Sequence, residues 1–255
     1  MSPGLALTDP VVVAERVSKA FGAVQALQSV TMNLYAGQVT ALVGDNGAGK
    51  TTLVKVLAGA HSCDEGALLL HGRPVTLRSP SDARSLGIET IYQDLAIAPD
   101  LDVVSNLYLC REITRRLWPR GPRVLDRSKM ADGAETALRD LEINIPSLKV
   151  PMRYLSGGQR QAVAVARGAM WARTVVMLDE PTAALGVTER QHVLDLILRV
   201  KRRGLAVLLV SHSLPEVFEV ADNIVVLRHS RKVAELRSAA TTMDEVVGFM
   251  TGSKQ

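Results

Sequence analysis

One nine-residue stretch limits what this chain can fold into more than any other: Gly44-Asp45-Asn46-Gly47-Ala48-Gly49-Lys50-Thr51-Thr52, which contains the pattern G-x-x-x-x-G-K-[ST]. It follows an apolar run, Val39 to Val43, and precedes Leu53, Val56 and Leu57, whose i, i+3, i+4 spacing predicts a helix stopped by Gly59. A strand that runs into a glycine-rich turn and then a helix curls backbone N–H groups round phosphate oxygens and aims the positive helix end at the same anion. In that setting Lys50 reaches the outer phosphates and the Thr51 hydroxyl holds Mg²⁺.

Composition narrows the class. The chain has 255 residues, enough for one large or two small domains with a substantial core. A hydrophobic fraction of 47% with 22% charged residues is that of a soluble globular protein, which excludes disordered and collagen-like classes. No apolar run approaches the roughly 20 residues of a membrane helix, and Met1 to Pro10 lacks the layout of a signal peptide, so a cytoplasmic location is expected. Cys63 and Cys110 are too far apart in sequence to suggest a disulfide framework or a metal cluster, and are expected to be packing residues. A net charge of +4 raises nucleic acid as a partner, but with only 4% aromatics there is little from which to build a base-stacking platform; no nucleic acid is expected.

From Val11 to about Leu77 the pattern is strand-like, with Val11–Val13, Val30–Leu34, Val39–Val43 and Ala67–Leu70 separated by turns such as Ala36-Gly37 and His71-Gly72-Arg73-Pro74. Phe21 precedes Gly22 and, read alone, is a core side chain as readily as anything else. Ser79-Pro80-Ser81-Asp82 starts a helix, and Gly87 to Gln93 reads as a short strand ending on a polar side chain, where ligands bind in open α/β sheets. Between Asp94 and Tyr154 the periodicity turns helical, through Val103, Leu107 and Leu109, then Met130, Ala134, Leu138 and Leu141. The joining stretch carries Arg111, Arg115, Arg116, Arg120 and Arg123 and is expected to be a solvated loop, with a dedicated anion or lipid-headgroup site as the alternative.

Ser156-Gly157-Gly158-Gln159 has capping-box spacing, and its two glycines leave the helix's first N–H groups open to an external anion. Thr174 to Leu178 is an apolar run that ends in Asp179-Glu180, as expected of a buried parallel strand delivering carboxylates to a sheet edge. Adjacent strand residues face opposite ways, which predicts separate roles. Phosphoryl transfer needs an acid on Mg²⁺, assigned to Asp179, and a group orienting water, assigned to Glu180 as general base. A further helix is expected from Thr188, with Gln191 at capping-box spacing, and then a buried strand Leu205–Val210 that leads into Ser211-His212, a third polar strand end. A ligand-facing role is assigned to His212. The tail predicts strands Asn223–Arg228 and Lys232–Leu236 and a short helix Met243–Met250.

In this order the chain resembles the nucleotide-binding subunit of an ATP-binding cassette (ABC) transporter over nearly its whole length. Gly44 to Thr52 is similar to the family's phosphate loop, Gln93 to its Q-loop glutamine, Leu155 to Gln159 to its signature, Val175 to Glu180 to its second Walker motif, and His212 to its switch histidine. The resemblance implies an α/β P-loop NTPase (RecA-like) core with an N-terminal antiparallel β subdomain and an inserted helical signature subdomain. This is one cassette over residues 9–255, with the ATP-binding core at about 9–94 and 164–255 and the helical part at about 95–163. It implies ATP and Mg²⁺ as cofactors, with Mg²⁺ held by Thr51, Gln93 and Asp179. Lys50, Gln93, Glu180 and His212 are implied to be catalytic, Phe21 to stack on adenine, and Ser156, Gly157, Gly158 and Gln159 to contact the ATP held by the loop Gly44, Asp45, Asn46, Gly47, Ala48, Gly49, Lys50, Thr51 and Thr52 of a second copy.

The phrases Gly44 to Lys50, Ile91 to Ala96 and Glu180 to Gly186 resemble bacterial monosaccharide importers of the ribose, xylose and fructose kind, and a single phosphate loop points to the single-cassette, fructose-type branch. That implies a homodimer on integral-membrane permease subunits, fed by a periplasmic sugar-binding protein and peripheral on the inner face of the cell membrane. The alternatives are an amino-acid importer, an exporter, or a non-transport cassette ATPase. One departure is Gly186, where the family's loop after the glutamate ends in Asp.

Overall fold

The computed structural model describes residues 9–119 and 121–254. The sequence reading of the chain's start therefore falls largely outside the described residues, as does Arg120 of the basic stretch. In chain order the elements are β1 (Val12–Phe21), β2 (Val24–Leu34), β3 (Val39–Val43), α1 (Lys50–Leu57), β4 (Glu65–Leu70), β5 (Arg73–Val75), α2 (Pro80–Ser85) and β6 (Ile88–Ile91), followed by α3 (Val103–Leu107), β7 (Thr114–Arg116), β8 (Arg123–Leu125), α4 (Arg127–Asp140) and α5 (Gly157–Trp171). The chain continues through β9 (Val175–Asp179), α6 (Val187–Arg202), β10 (Ala206–Val210), α7 (Leu214–Val220), β11 (Asn223–Arg228), β12 (Arg231–Arg237) and α8 (Met243–Thr251).

Contacts divide the chain into two compact units, one built from the described residues up to Gln93 with Ala172–Pro181 and from Ile197 on, the other from Asp94–Trp171 and Thr182–Leu196. The first unit carries the expected antiparallel sheet, ordered β2-β1-β4-β5, and a six-stranded sheet ordered β12-β11-β3-β10-β9-β6. In the larger sheet all neighbours are parallel except the edge strand β12. β3 is buried along its whole length because both its faces are covered. Leu42 joins the core shared with Leu53, Val54, Val56 and Leu57 of α1, while Ala41 and Val43 pack on the opposite face with Val217 of α7 and Val246 of α8.

Capping chemistry sets several helix starts. Ser79 and Asp82 form a reciprocal capping box at α2, as their spacing predicts. α6 begins at Val187, so Gly186 rather than Thr188 precedes its first turn, and the Gly186 carbonyl accepts from the Arg190 N–H at 2.9 Å.

Several readings are corrected. Arg73–Val75 is a strand rather than part of a turn, because His71 and Gly72 alone, both at positive φ, reverse the chain. α7, whose seven residues are too few to show a helical period, was not foreseen. Leu109 lies beyond α3, and the second unit is not purely helical: the basic stretch folds into the antiparallel hairpin β7–β8. Cys63 packs against the core, whereas Cys110 is exposed rather than buried, at φ 63° in a tight turn.

Candidate nucleotide-binding site

The parallel register builds the site. Val207–Val210 of β10 pair in step with Val39–Leu42 of β3 and with Val176–Asp179 of β9, whose Leu178 stands beside Ile91 of β6. The strands therefore end together, and the segments that follow them, Gly44 onward, Ser211-His212, Glu180 and Tyr92-Gln93, leave from one edge of the sheet. β6 stops at Ile91, so Gln93 lies two residues past the strand rather than at its end, and it is exposed.

The loop after β3 has the shape its glycines predict. Gly44, Gly47 and Gly49 take φ values of 147°, 81° and 105°, a region L-residues avoid. A Cβ on Gly49 would sit 2.6 Å from the Ala26 carbonyl oxygen and 2.9 Å from Leu27 Cδ2, so the loop rests directly on β2. Asp45, Asn46, Gly47 and Thr51 are exposed, whereas Ala48 and Lys50 are buried and Gly49 and Thr52 half-buried. No side chain caps the first turn of α1, which leaves its N–H groups to an outside acceptor. The Lys50 ammonium donates to the carbonyls of Gly44 at 2.6 Å and Asp45 at 3.0 Å, using two of its three N–H bonds. Burial lowers its pKa, against the opposing pull of Glu180, Asp45 and Asp179.

Two carboxylates at the end of β9, one strand beyond β10, act on this ammonium by their charge. Burial, and then the adjacent Glu180, push the Asp179 carboxyl above its ordinary pKa, while Lys50 and Lys55 pull it down. A group in that state gains from a nearby cation. Glu180 does not continue the strand: its φ is 50°, and its N–H donates to the Val210 carbonyl at 2.9 Å. The two acids thus diverge through a left-handed turn rather than through strand alternation. Glu180 Oε1 lies 3.4 Å from His212 Nδ1, and the His212 side chain is exposed.

Thr51 and Asp179 supply hard oxygen donors. Among the described residues no three His, Cys, Asp or Glu side chains gather to hold a metal by themselves. Oxygen donors of this kind are those magnesium takes beside its waters and phosphates.

Phe21 is 45% exposed at the end of β1 rather than in the core, with the His61 ring edge-on at 5.2 Å. In the second unit the Ser156 and Gln159 capping box is formed, Gln159 N–H donating to Ser156 Oγ at 3.2 Å and Ser156 N–H to Gln159 Oε1 at 3.0 Å. The Gly158 N–H donates to Glu189 Oε1 at 3.2 Å. That bond, followed by those from Ser156 and Gly186, holds the Glu189 carboxyl below its ordinary pKa. Sequence reasoning missed Glu189, which looks like any acid in a helix's first turn. It also missed Tyr92, whose half-buried hydroxyl is raised in pKa by burial and by the charge of Asp179.

Comparison with known proteins bears on this arrangement. The sequence profile described as ABC transporter matches residues 27–183. The fructose import ATP-binding protein of Rhizobium meliloti is 45% identical over 97% of this chain and 96% of its own length. The xylose/arabinose import ATP-binding protein of Sulfolobus acidocaldarius is 45% identical over 92% of this chain and 91% of its own. Among solved structures, an ATP-binding cassette of an ABC transporter in its ADP conformation superposes with a TM-score of 0.77 over 96% of both chains at 24% identity, a likeness of fold.

Proposed function

The chain belongs to the ABC transporter family, and from that premise we propose that it is the ATP-hydrolysing subunit of a bacterial importer that takes up a monosaccharide through a separate membrane permease. The observation that carries the ATPase reading is the shared sheet edge, where Lys50, Asp179, Glu180, His212 and Gln93 all leave adjacent parallel strands. Similarity to two sugar import ATP-binding proteins over almost the full chain supports the choice of cargo.

In this reading the uncapped N–H groups of α1 and the third N–H of Lys50 receive the phosphates, and the exposed face of Phe21 receives the adenine ring. Thr51, Asp179 and Gln93 would hold Mg²⁺, which neutralises phosphate charge when bound. Glu180 orients a water and takes its proton, and His212, 3.4 Å from it, fixes that carboxylate. Ser156 to Gln159 of a second copy close the site, so the working form is a homodimer. Among the described residues no helix is long and apolar enough to cross a membrane. Attachment to the inner face of the membrane is therefore assigned to permease subunits, with a periplasmic sugar-binding protein delivering the cargo.

Deleting the gene and restoring it as wild type or as Lys50→Ala, then measuring uptake of labelled fructose, ribose and xylose, tests the proposal. Uptake of one of these sugars should be lost and be restored by the wild type alone. Unchanged uptake of all three would sink the sugar reading.

A further inference from the structure

The excess charge of this chain is concentrated in one place. Residues 111–125 hold five arginines and one acid, Glu112, and the remainder holds 25 basic and 25 acidic residues, so the whole net charge of +4 lies in this segment. It folds as the β7–β8 hairpin, whose register sets Arg116 directly across from Arg123. Like charges in facing positions destabilise a two-stranded ribbon. Arg115, Arg116 and Arg123 are all exposed, and among the described residues no carboxylate pairs with any of them.

The same hairpin exposes bulky apolar side chains. Trp118 is 59% exposed, Leu117 47% and Leu125 43%. Trp118 lies against the turn at Gly121, whose N–H donates to the Trp118 carbonyl at 2.9 Å. Arginines without acidic partners, a tryptophan and two leucines on one ribbon match the boundary between headgroups and hydrocarbon. Guanidinium groups grip phosphate oxygens, an indole prefers the interfacial layer, and leucines reach the acyl region. A nucleic acid or an acidic peptide would meet the arginines but leave the leucines in water.

We propose that the β7–β8 hairpin docks on the anionic phospholipid headgroups of the membrane face beside the permease, giving the subunit a lipid contact of its own. The proposal rests on the membrane-associated reading above. Each arginine near an anionic surface contributes roughly fivefold in binding, so three contribute on the order of a hundredfold.

The test is flotation of the purified full chain with vesicles of phosphatidylglycerol and phosphatidylcholine, or of phosphatidylcholine alone. ATP hydrolysis is measured on the same preparations. The wild type should float with the anionic vesicles only; Arg115→Gln/Arg116→Gln/Arg123→Gln should weaken this about a hundredfold, and Trp118→Ala should weaken it less, both with hydrolysis unchanged. Anionic-vesicle binding that persists in the triple variant, or is absent from the wild type, overturns the proposal. Failure of the triple variant to assemble with permease in phosphatidylcholine nanodiscs, without vesicle binding by the wild type, would assign the hairpin to the permease and likewise overturn it. Hydrolysis failing while anionic vesicles still bind the wild type and not the triple variant would sink the ATPase reading and leave this one standing.

Discussion

Gly49→Ala is the substitution whose cost is most directly worked from the geometry. At φ 105° an L-residue is strained, by about 1–3 kcal/mol. In addition the new Cβ would meet the Ala26 carbonyl oxygen at 2.6 Å and Leu27 Cδ2 at 2.9 Å, closer than carbon atoms approach. Both contacts belong to β2, held by its pairing with β1, so the loop rather than the sheet must move. Overpacking of that kind adds about 1–3 kcal/mol. Gly47→Ala supplies the control: its φ is 81°, yet nothing lies within 4 Å of the added Cβ, so it carries strain alone. In a chain of this size about 1 kcal/mol moves Tm by roughly 2–4 °C. Without nucleotide, Gly49→Ala should therefore melt at least about 2 °C below Gly47→Ala. Saturating MgATP, worth about 2.7 kcal/mol at 100 times Kd, should stabilise the wild type and do little for Gly49→Ala, whose displaced loop no longer presents its N–H groups. Equal melting of the two variants in the apo state would refute the claim that the loop is held against β2.

Asp179→Asn should separate stability from function. The raised pKa of Asp179 means that its ionised form opposes folding at neutral pH, and that the opposition fades as pH falls through that pKa and the folded carboxyl takes up a proton. The variant should therefore melt higher than the wild type near pH 7.5, lose that advantage toward the ordinary carboxyl range, and lose magnesium-dependent hydrolysis. Differential scanning fluorimetry across pH checks the sign. Glu189→Gln should do the reverse. A carboxyl held below its usual pKa stabilises the fold above the unfolded value and ceases to do so as pH falls through the folded one, so the variant should be the less stable near neutrality and equal at low pH. Because the Gly158 N–H that Glu189 occupies is among the groups proposed to contact the ATP of a second copy, the same variant should also show a lower KM for ATP in steady-state hydrolysis.

The phosphate loop, its strand and its helix were legible in the sequence because each signal was local: a buried apolar run, glycines where φ must be positive, and an i, i+3, i+4 stripe. The strand ends at Asp179 and Val210 were legible for the same reason. The alignment of those ends was not, since parallel pairing is set by contacts between residues far apart in the chain. The left-handed turn at Glu180 escaped notice because a glutamate carries no cue for positive φ. The β7–β8 hairpin is hidden in the sequence because arginine, proline and glycine outnumber strand formers there. α7 is not legible because its seven residues are too few to show a helical period, even though Ser213 and Pro215 are ordinary helix-start residues. At Gly186, where the resemblance implies an aspartate, a Cβ would meet nothing within 4 Å, so open space rather than crowding surrounds the departure.

The proposed site is shared by two copies of the chain, with Glu180 as the base of one and Ser156 on the signature of the other. Light scattering on Glu180→Gln with and without MgATP, repeated in Glu180→Gln/Ser156→Arg, measures it most directly. The single variant should bind ATP without turnover and double in mass; the double variant should bind ATP and remain a monomer. A single variant that hydrolyses ATP at the wild-type rate, or a double variant that still dimerises with ATP, would contradict the account.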